Sequence, residues 1–527
     1  MTISHADAAR ARRAERGTIS CVDPATLEAL GEVAVVAPED VPARVARARG
    51  AQTRWAEASF AVRRRVLGRV LDHVLDHADE LCRVVVRDAG KTTPNAMLGE
   101  IWPVCEKLRW TMAHGERHLR REPMGSGLFP HKRAFVDYVP RGVVGAITAW
   151  NYPLQHILGC TIPPLMAGNA VVVKVSEWCA WSTARFQRIF DEALAAEGFS
   201  TDLVQLLDGY GETGQALVEG GVDMVIFIGS VENGRRVLAH SATRLIPVVL
   251  ELGGKDAFIV CEDAHLEQAA HAAMAGAFIA AGQNCLAAER MFVHERVYAA
   301  FVDRLVALAS SLRQGAAADE PVDVGAMTTP AQLETVRALV ADAVAQGARV
   351  LVGGPDATTP AAGYFFPPTV LTEVTPEMAI MKEETFGPVA TVMRVKSDDE
   401  AIAMANASQF GLGATVMTRS RRRAARIGRA IEAGGVSIND FGFTYMAQDL
   451  PFGGVKASGF GRLNGREGLR ACTHPKAVLA DRFPLHVPAK LFPVGRRDVG
   501  VARGAIRMLY GRGLRRKLQG ARDLLPW

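Results

Sequence analysis

Apolar residues in the middle of the chain form short continuous runs, separated by segments in which they recur with a helical repeat. Runs of this kind predict strands that are buried on both faces. Because helical segments separate them, with one predicted at 181–196, the pattern indicates a parallel sheet covered on both sides. The predicted strands are Gly142–Ala149, Ala170–Val175, Leu203–Leu207, Met224–Ile228 and Val248–Leu250.

The same alternation restarts after Gly253 and Gly254, which are therefore a candidate domain joint. The pattern predicts an α/β protein with two α/β halves. In the second half, strands are predicted near 256–260 and 289–293, and helices near 264–281, 297–312 and 331–346.

The first part of the chain follows a different pattern. Residues 20–118 are predicted to alternate short strands with amphipathic helices, and residues 56–88 have one apolar helical face. In residues 119–139, Gly125 and Pro130 precede an alternating apolar and polar run. Such alternation after turn residues is typical of a β-hairpin, and we expect this hairpin to be an arm that leaves the body.

Composition supports a globular protein. The chain has 527 residues, of which 49% are apolar and 22% charged, and this length predicts two or three domains. The longest apolar stretch, Ala269–Ala281, contains His271 and is shorter than the roughly 20 residues of a membrane helix. The N-terminus lacks the apolar core of a secretory signal, so we expect a cytosolic protein.

The eight cysteines show neither CxxC nor Cys/His ligand spacing. In a reducing compartment we expect free thiols, most of them small buried apolar residues. The sequence therefore predicts neither a zinc site nor a disulfide framework. Only Cys285 has neighbours that indicate chemistry.

Positive charge is concentrated at the C-terminus. Residues 488–527 contain ten Lys or Arg residues and two Asp residues, so the rest of the chain is slightly acidic although the net charge is +5. We expect no nucleic-acid partner. The tail places arginines among apolar residues, and a basic amphipathic segment of this kind can lie on an anionic membrane surface. Glycines at 500, 504, 511 and 513 weaken a helix here, and the alternative is a solvated, partly disordered extension.

Two residues have the chemistry to make and hydrolyse a thioester. Cys285 ends the run Gly282-Gln283-Asn284-Cys285, and Glu251 begins the run Glu251-Leu252-Gly253-Gly254-Lys255. A thiol can attack a carbonyl carbon, and a carboxylate can deprotonate the water that releases the product.

Three segments after predicted strands are candidate binding sites. Gly229 and Ser230 precede a helix through Gly234, whose N-terminus suits a pyrophosphate, although this run also fits a plain turn. Lys174 and Glu177 follow another strand and can bind a ribose; Glu177 would repel a 2′-phosphate and so favour NAD over NADP. The alternative is a solvated loop.

Asn151 follows the strand at Gly142–Ala149. Its side-chain amide can donate a hydrogen bond to a developing oxyanion without carrying a charge. An Asn/Pro turn is the alternative interpretation of Asn151 and Pro153.

Taken together, these segments resemble the NAD(P)-dependent aldehyde dehydrogenase superfamily over residues 20–485. Within it, the runs after Lys255 and Cys285 are most similar to a branch of plant family 22 enzymes and fungal relatives. The motifs that carry the resemblance, in chain order, are Ala149–Pro153, Lys174–Glu177, Phe227–Ser230, Glu251–Lys255, Gly282–Cys285, Glu383–Pro388 and Pro451–Lys456 with Ser458 and Gly459.

The resemblance implies a role for each matching residue. Cys285 would be the nucleophile and Glu251 the general base, with Asn151 and the backbone N–H of Cys285 as the oxyanion hole. Asn439 would support the site. NAD, with NADP as a second candidate, would be held by Trp150, Lys174, Glu177, Gly229, Ser230, Gly234, Glu384 and Phe386.

The resemblance also implies a domain organisation, with a Rossmann-type cofactor domain, an α/β catalytic domain and a β-hairpin oligomerisation arm. It implies a homodimer or a homotetramer. The predicted ranges are 1–118 and 140–253 for the cofactor domain, 254–462 for the catalytic domain, 119–139 and 463–487 for the arm, and 488–527 for the tail.

The chain departs from the family pattern near the substrate. Leu286 follows the nucleophile, where the family usually has a small polar residue, and Ala149 stands where proline is common. These changes leave the substrate open. An apolar, medium-to-long or aromatic aldehyde is favoured by Leu154, Phe441, Phe443 and Tyr445.

Three alternatives remain at this stage. An enzyme that passes the acyl group to coenzyme A usually lacks the glutamate, so Glu251 favours hydrolysis. A non-catalytic binding protein on the same scaffold predicts a damaged site, whereas the motif residues are intact. An acyl-phosphate reductase would need a histidine beside the thiol; His156 is the nearest candidate, and we expect it to be a pocket-wall or structural residue.

Overall fold

The computed structural model describes residues 17–317, 322–484 and 492–525, and only the backbone of Phe443. Parts of the predicted cofactor domain, arm and tail therefore lie outside the described residues. The chain forms two compact units, the larger comprising residues up to Arg121 and Asp137–Lys476, and the smaller comprising Glu122–Val136 and Ala477 onward.

The N-terminal part of the larger unit is mostly helical. Strands β1 (Thr18–Val22) and β2 (Ala29–Ala34) form an antiparallel pair. Five helices follow, so the predicted alternation of strands and helices up to residue 118 was wrong beyond β2. These are α1 (Val41–Ala56), α2 (Phe60–Asp76), α3 (Ala78–Ala89), α4 (Thr93–Ala96) and α5 (Trp102–Leu119), with a π-helical turn at Met97–Ile101.

The single helix predicted at 56–88 is two helices. The Ser59 side chain accepts a hydrogen bond from the Val62 N–H and caps the start of α2. Its end lies at His77, whose φ of −113° and ψ of 17° are not helical. The apolar helical pattern therefore predicted the helical conformation correctly. It did not show that one helix ends and another begins at His77.

The first sheet contains all five strands predicted before Gly253. It is parallel except for a short strand at one edge, and its order is β17-β9-β8-β5-β6-β7. The order changes direction between β5 and β8, which is where open parallel sheets bind ligands. The strands are β5 (Val143–Ile147), β6 (Ala170–Val175), β7 (Val204–Asp208), β8 (Met224–Gly229), β9 (Val248–Leu252) and β17 (Gly459–Phe460).

Helices connect the parallel strands of this sheet. The α7 helix confirms the prediction at 181–196 apart from a 3₁₀ turn at its start. The helices in this part of the chain are α6 (Pro153–Ala167), α7 (Thr183–Ala196), α8 (Gly211–Glu219) and α9 (Val231–Arg244).

The second sheet has the order β12-β13-β14-β11-β10-β15-β16 and is parallel except for β12 at its edge. Its strands are β10 (Ala257–Val260), β11 (Arg290–His294), β12 (Arg349–Val352), β13 (Thr369–Thr372), β14 (Val389–Val395), β15 (Gly413–Met417) and β16 (Gly435–Ile438). Its helices are α10 (Leu266–Phe278), α11 (Glu295–Ser310), α12 (Pro330–Ala345), α13 (Asp398–Asn406), α14 (Arg421–Ala430) and α15 (Phe443–Met446). A further helix, α16 (Gly465–Ala471), packs against α5 and α6 instead.

The predicted hairpin is present. Strands β3 (Glu122–Met124) and β4 (Lys132–Pro140) are antiparallel, with Glu122 opposite Val136 and Met124 opposite Ala134. The third strand of this sheet is β18 (Thr473–Asp481).

The described part of the tail is a pair of packed helices, α17 (Asp498–Tyr510) and α18 (Leu514–Leu524). Gly511 and Gly513 lie at the break between the two helices, whereas Gly500 and Gly504 lie within α17. A Cβ added to Gly504 would lie 2.8 Å from the Gly520 carbonyl oxygen, and a Cβ on Gly520 would lie 2.8 Å from that of Gly504. The two glycines therefore permit close packing. Among the described residues, no helix is long and apolar enough to span a membrane.

Candidate active site

The Cys285 loop depends on an uncommon backbone conformation. After α10, Ala280, Ala281 and Gly282 have positive φ angles of 51°, 54° and 71°. A Cβ on Gly282 would lie 2.0 Å from the Gly387 carbonyl oxygen, so only glycine fits there. These constraints turn the chain sharply, and Cys285 reaches the cavity described below.

Asn151 lies against this loop. It is buried just after β5, and its Nδ2 donates to the Gln283 carbonyl oxygen at 3.0 Å. Since the amide nitrogen carries two hydrogens, this bond orients the group and leaves a second donor. The structure thus brings together the candidate oxyanion donor and the loop of the candidate nucleophile.

Glu251 comes from β9 and is 3% exposed. In the described part of the chain its Oε1 has no hydrogen-bond partner. Burial raises the pKa of Glu251 to about 7, and the Cys285 thiol lowers it by a smaller amount. The carboxyl group therefore changes its charge near neutral pH, which suits a general base.

The Cys285 thiol is held in its protonated form. Burial raises the pKa of Cys285 well above its ordinary value, and Glu251 raises it further. A thiolate is the reactive species, so Cys285 must lose its proton during the reaction. Glu251 is the carboxylate with the largest effect on this thiol.

Lys174 and Glu177 are also close together. Lys174 is buried near the end of β6, and its Nζ lies 3.2 Å from Glu177 Oε2. Ser176 precedes the 3₁₀ turn Glu177–Ser182, and its Oγ accepts from the Trp178 N–H. The carboxylate and ammonium groups match the hydroxyls of a ribose.

The Gly229–Gly234 run feeds a helix, as predicted. Ser230 caps α9, because its Oγ accepts from the Asn233 N–H at 3.4 Å. A Cβ on Gly234 would lie 2.6 Å from Leu252 Cδ2, so glycine lets α9 approach β9 closely. The N-terminus of α9, with its free N–H groups and positive dipole end, suits an anion such as pyrophosphate.

Glu384 faces the two glycines after β9. Its Oε1 accepts from the Gly254 N–H at 2.9 Å, and a Cβ on Gly253 would lie 2.2 Å from its Oε2. Burial raises the pKa of Glu384 to about 8. Nearby, the rings of Trp150 and Phe386 meet edge to face with centroids 5.5 Å apart.

A buried ion pair under this loop was not found from the sequence. Lys255 Nζ contacts Glu289, and it donates to Thr385 Oγ1 at 2.7 Å. Glu289 also accepts from the Thr385 and Phe386 N–H groups at 2.7 and 2.8 Å. The motif containing Lys255 was recognised, but no pattern connects it with a glutamate 34 positions later.

Replacing Lys255 with methionine is expected to lower the free energy of unfolding by about 3–5 kcal/mol, because Glu289 would stay buried without its cation. Urea unfolding followed by tryptophan fluorescence measures this. The matched control is Lys396→Met, at an exposed lysine, with an expected change below about 0.5 kcal/mol. Equal stabilities of the two variants would contradict the role assigned to the ion pair.

Asn439 holds two backbone segments together. Its Oδ1 accepts from the Thr418 N–H and its Nδ2 donates to the Thr418 carbonyl oxygen, both at 2.8 Å. Its own φ is 58°. This side chain braces the strand ends beside the cavity, which it also lines.

Cys285 and Glu251 line one cavity of about 490 Å³. Its walls are largely apolar. Of the predicted pocket residues, Phe441, Tyr445 and Leu286 line it, whereas Leu154 is fully buried elsewhere in α6 and the Phe443 side chain lies outside the described residues. Further apolar lining comes from Leu98, Trp102, Phe452 and Leu463.

His156 is a wall residue of this cavity. Its Nδ1 lies 3.4 Å from the Ala149 carbonyl oxygen, and burial lowers its pKa to about 3. The ring is therefore neutral. The described residues contain no cluster of metal-ligating side chains, and the eight cysteines are free thiols.

The chain is similar to known proteins over most of its length. The model of the aldehyde dehydrogenase family matches residues 11–478. An aldehyde dehydrogenase-like protein of Schizosaccharomyces pombe is 38% identical over 504 residues, covering 94% of this chain and 96% of the relative. The 4,4′-diapolycopene aldehyde oxidase of Methylomonas is 35% identical over 496 residues, covering 94% and 92%.

Solved structures show the same fold. The NAD⁺ complex of an aldehyde dehydrogenase from Bacillus cereus has a TM-score of 0.83 and 34% identity. The alignment covers 88% of this chain and 94% of the Bacillus enzyme.

Proposed function

This chain belongs to the aldehyde dehydrogenase family, and we propose that it oxidises an apolar aldehyde to the carboxylic acid with NAD as oxidant. The observation that carries the proposal is Glu251. It is buried with an unpartnered oxygen, its pKa is about 7, and it lines the same cavity as Cys285. The similarity to a fungal aldehyde dehydrogenase-like protein supports the resemblance to the branch that includes fungal relatives.

In the first step Cys285 Sγ attacks the aldehyde carbon. The thiol proton passes to Glu251, the carboxylate that most strongly affects this thiol. The aldehyde oxygen becomes an oxyanion, to which Asn151 Nδ2 and the Cys285 N–H donate. Bound NAD would supply the acceptor for the hydride of the hemithioacetal carbon, and the residues that would hold it are given below.

The second step hydrolyses the thioester formed on Cys285. Glu251, having released its proton to solvent, takes a proton from water, and the resulting hydroxide attacks the thioester carbon. The C–S bond breaks, the acid leaves, and Cys285 recovers a proton. The unpartnered Oε1 of Glu251 leaves an acceptor for this water.

The residues of the first sheet fit NAD. Lys174 and Glu177 would hold the adenosine ribose, Gly229, Ser230 and the N-terminus of α9 through Gly234 the pyrophosphate, and Glu384 the nicotinamide ribose. Trp150 and Phe386 would pack beside the cofactor. The partly exposed Glu177 carboxylate would repel a 2′-phosphate, so NADP is the weaker candidate.

The test is an aldehyde panel followed by the absorbance of reduced nicotinamide, from acetaldehyde to dodecanal, with benzaldehyde and succinic semialdehyde added. Each aldehyde is assayed with NAD or NADP, and with and without coenzyme A. We expect NAD-dependent formation of the free acid from the apolar aldehydes. An acyl-coenzyme A product would favour the acylating alternative, and cofactor binding without turnover of any aldehyde would favour a binding protein.

The family resemblance also supports an assembly. We propose that the hairpin of β3 and β4, with the segment 463–487, is the arm of a homodimer or homotetramer. The domain division at Gly253 stays a prediction that places the first sheet in the cofactor domain and the second in the catalytic domain.

We further propose that the helices α17 and α18 contact an anionic membrane surface. Both present exposed apolar side chains beside arginines, for example Ile506 and Leu509 in α17 and Leu518 in α18. Such a surface complements anionic lipid. We expect the full chain to sediment with anionic but not with zwitterionic vesicles.

The matched variant for this test combines Leu509→Gln and Leu518→Gln, which alter exposed positions only. It is expected to bind anionic vesicles several-fold more weakly, because apolar burial in the lipid is lost. Recovery of the unaltered chain in the supernatant with both kinds of vesicle would refute the contact.

A further inference from the structure

The aldehyde cavity contains a buried cation. Lys107, on α5, is 3% exposed and lines the same cavity as Cys285 and Glu251. Among the described residues that line this cavity, Lys107 is the one lysine or arginine. The proposed oxidation of a simple apolar aldehyde uses no cation at this position.

The partners of Lys107 are neutral. Its Nζ donates to Asn464 Oδ1, and it lies 5.7 Å from the centroid of the Tyr445 ring. It has no ion pair with a carboxylate of the described residues. Burial lowers the pKa of Lys107 to about 8. Cys160 and Cys472 raise this pKa, but their effect is smaller.

The other buried lysines differ in this respect. Lys91 contacts Glu100 at 2.7 Å, Lys174 contacts Glu177 at 3.2 Å, and Lys255 contacts Glu289. A buried charge is costly unless an opposite charge compensates it. Each of these three buried lysines is paired with a glutamate. Lys107 borders the substrate cavity and has no such partner among the described residues.

Space for an anionic group exists beside Lys107. Gly159, on α6, also lines the cavity, and a Cβ added there would lie 3.8 Å from Lys107 Cε and 3.6 Å from the Tyr445 hydroxyl. Any longer side chain at 159 would occupy the space next to the lysine. Glycine leaves this approach open.

We infer that Lys107 binds a carboxylate of the substrate, and that the preferred substrates are oxo acids in which an apolar chain separates the aldehyde from the carboxylate. The inference rests on the proposed oxidation and names its substrate class. The single ammonium group of Lys107 matches one carboxylate, whereas a phosphate would keep further charge unpaired. The apolar walls suit the carbon chain.

The experiment compares ω-oxo acids with n-alkanals of the same carbon number, from short to long chains, using the full-length enzyme and NAD. The measured quantity is the ratio of kcat/KM for the oxo acid to that for the alkanal. We expect this ratio to peak at one chain length, because the carboxylate must reach Lys107, and to be about 10–100 there.

In Lys107→Met, which keeps the length of the side chain, the peak ratio is expected to fall to about 1. The matched control Lys396→Met removes an exposed lysine and should keep the peak. A peak that persists in Lys107→Met, or a ratio near 1 at every length in the unaltered enzyme, would overturn the inference. The alkanals report the oxidation itself. If the unaltered enzyme oxidised neither the oxo acids nor the alkanals, the proposed function would be refuted rather than this inference.

A pH series on the unaltered enzyme tests the same point if the variant does not fold. The ratio is expected to decrease as pH rises above about 8, since Lys107 loses its charge. The groups facing Lys107 do not titrate there, because burial raises the pKa of Cys160 and of Cys472 to about 12 and that of Tyr445 well above its ordinary value. Glu251, whose pKa is about 7, is already ionised above pH 8 and acts as the base on both substrates, so it does not change the ratio in that range. A ratio that is independent of pH would overturn the inference.

Discussion

Replacing Cys285 with alanine is expected to lower NAD-dependent aldehyde oxidation by at least about 10⁴-fold, because no other group in the cavity can form the thioester. The cavity also contains Cys160, but its side chain is almost fully buried, whereas Cys285 is partly exposed. Cys285 also lies in the loop that Asn151 contacts, so an aldehyde beside the candidate oxyanion donor meets Cys285.

The measurement is the rate of absorbance increase from reduced nicotinamide with the best aldehyde of the panel. Equilibrium dialysis with NAD verifies that the variant still binds the cofactor. Cys105→Ser, at a half-buried thiol outside the cavity, is the matched control and should keep most of the activity. If Cys285→Ala kept a turnover within tenfold of the unaltered enzyme, the nucleophile would be another group.

Replacing Glu251 with glutamine is expected to slow steady-state turnover by about 10²–10⁴-fold, because the thioester would lose the base that activates water. Formation of the thioester should suffer less. Glu251 raises the pKa of the Cys285 thiol, so its replacement removes an acceptor for the thiol proton but also a charge that opposes thiolate formation.

Rapid mixing distinguishes the two steps. Glu251→Gln should release about one equivalent of reduced nicotinamide per site and then almost stop. Added hydroxylamine, which cleaves thioesters directly, should restore turnover in Glu251→Gln and not in Cys285→Ala. Full steady-state turnover by Glu251→Gln in a deacylation-limited assay would exclude the assigned role.

The pH profile of the unaltered enzyme follows from the same carboxyl group. Burial raises the pKa of Glu251 to about 7, so its base form predominates above that pH. Deacylation is therefore expected to speed up as pH rises through about 7 and then to level off. In Glu251→Gln this rise should be absent.

The strands around the site could be predicted because their signal is local. The β6 strand has the predicted limits Ala170–Val175, and all six of its residues are buried. A short run of consecutive apolar residues, such as 170–173, is typical of a strand inside a sheet with both faces covered. Asn151 follows β5 and Lys174 lies near the end of β6. Because these strands are parallel neighbours, both residues lie at the carboxyl ends of the strands.

The direction of side chains on buried helices was harder to predict. Leu154 was expected in the substrate pocket, and it is fully buried outside it. Every residue of α6 except Gly159 is buried, so its periodicity indicates no preferred face. Only the packed structure shows which side of such a helix borders a cavity.

The tail illustrates a second limit. Counted singly, its glycines predict a weak helix. In the structure Gly504 and Gly520 face each other, and the backbone contact that they permit links α17 and α18. A residue that lowers the stability of an isolated helix can thus stabilise a pair of helices.

By itself, the sequence determined the α/β class and the five parallel strands of the first sheet, and it singled out the candidate thiol and carboxylate, because these depend on short runs of residue types. The tertiary structure alone decided which charges meet. Lys255 has Glu289 as its partner, whereas Lys107 donates to the neutral Asn464 and pairs with no carboxylate in the described part of the chain. The free energy of a buried charge depends on partners distant in sequence, and no local pattern records them.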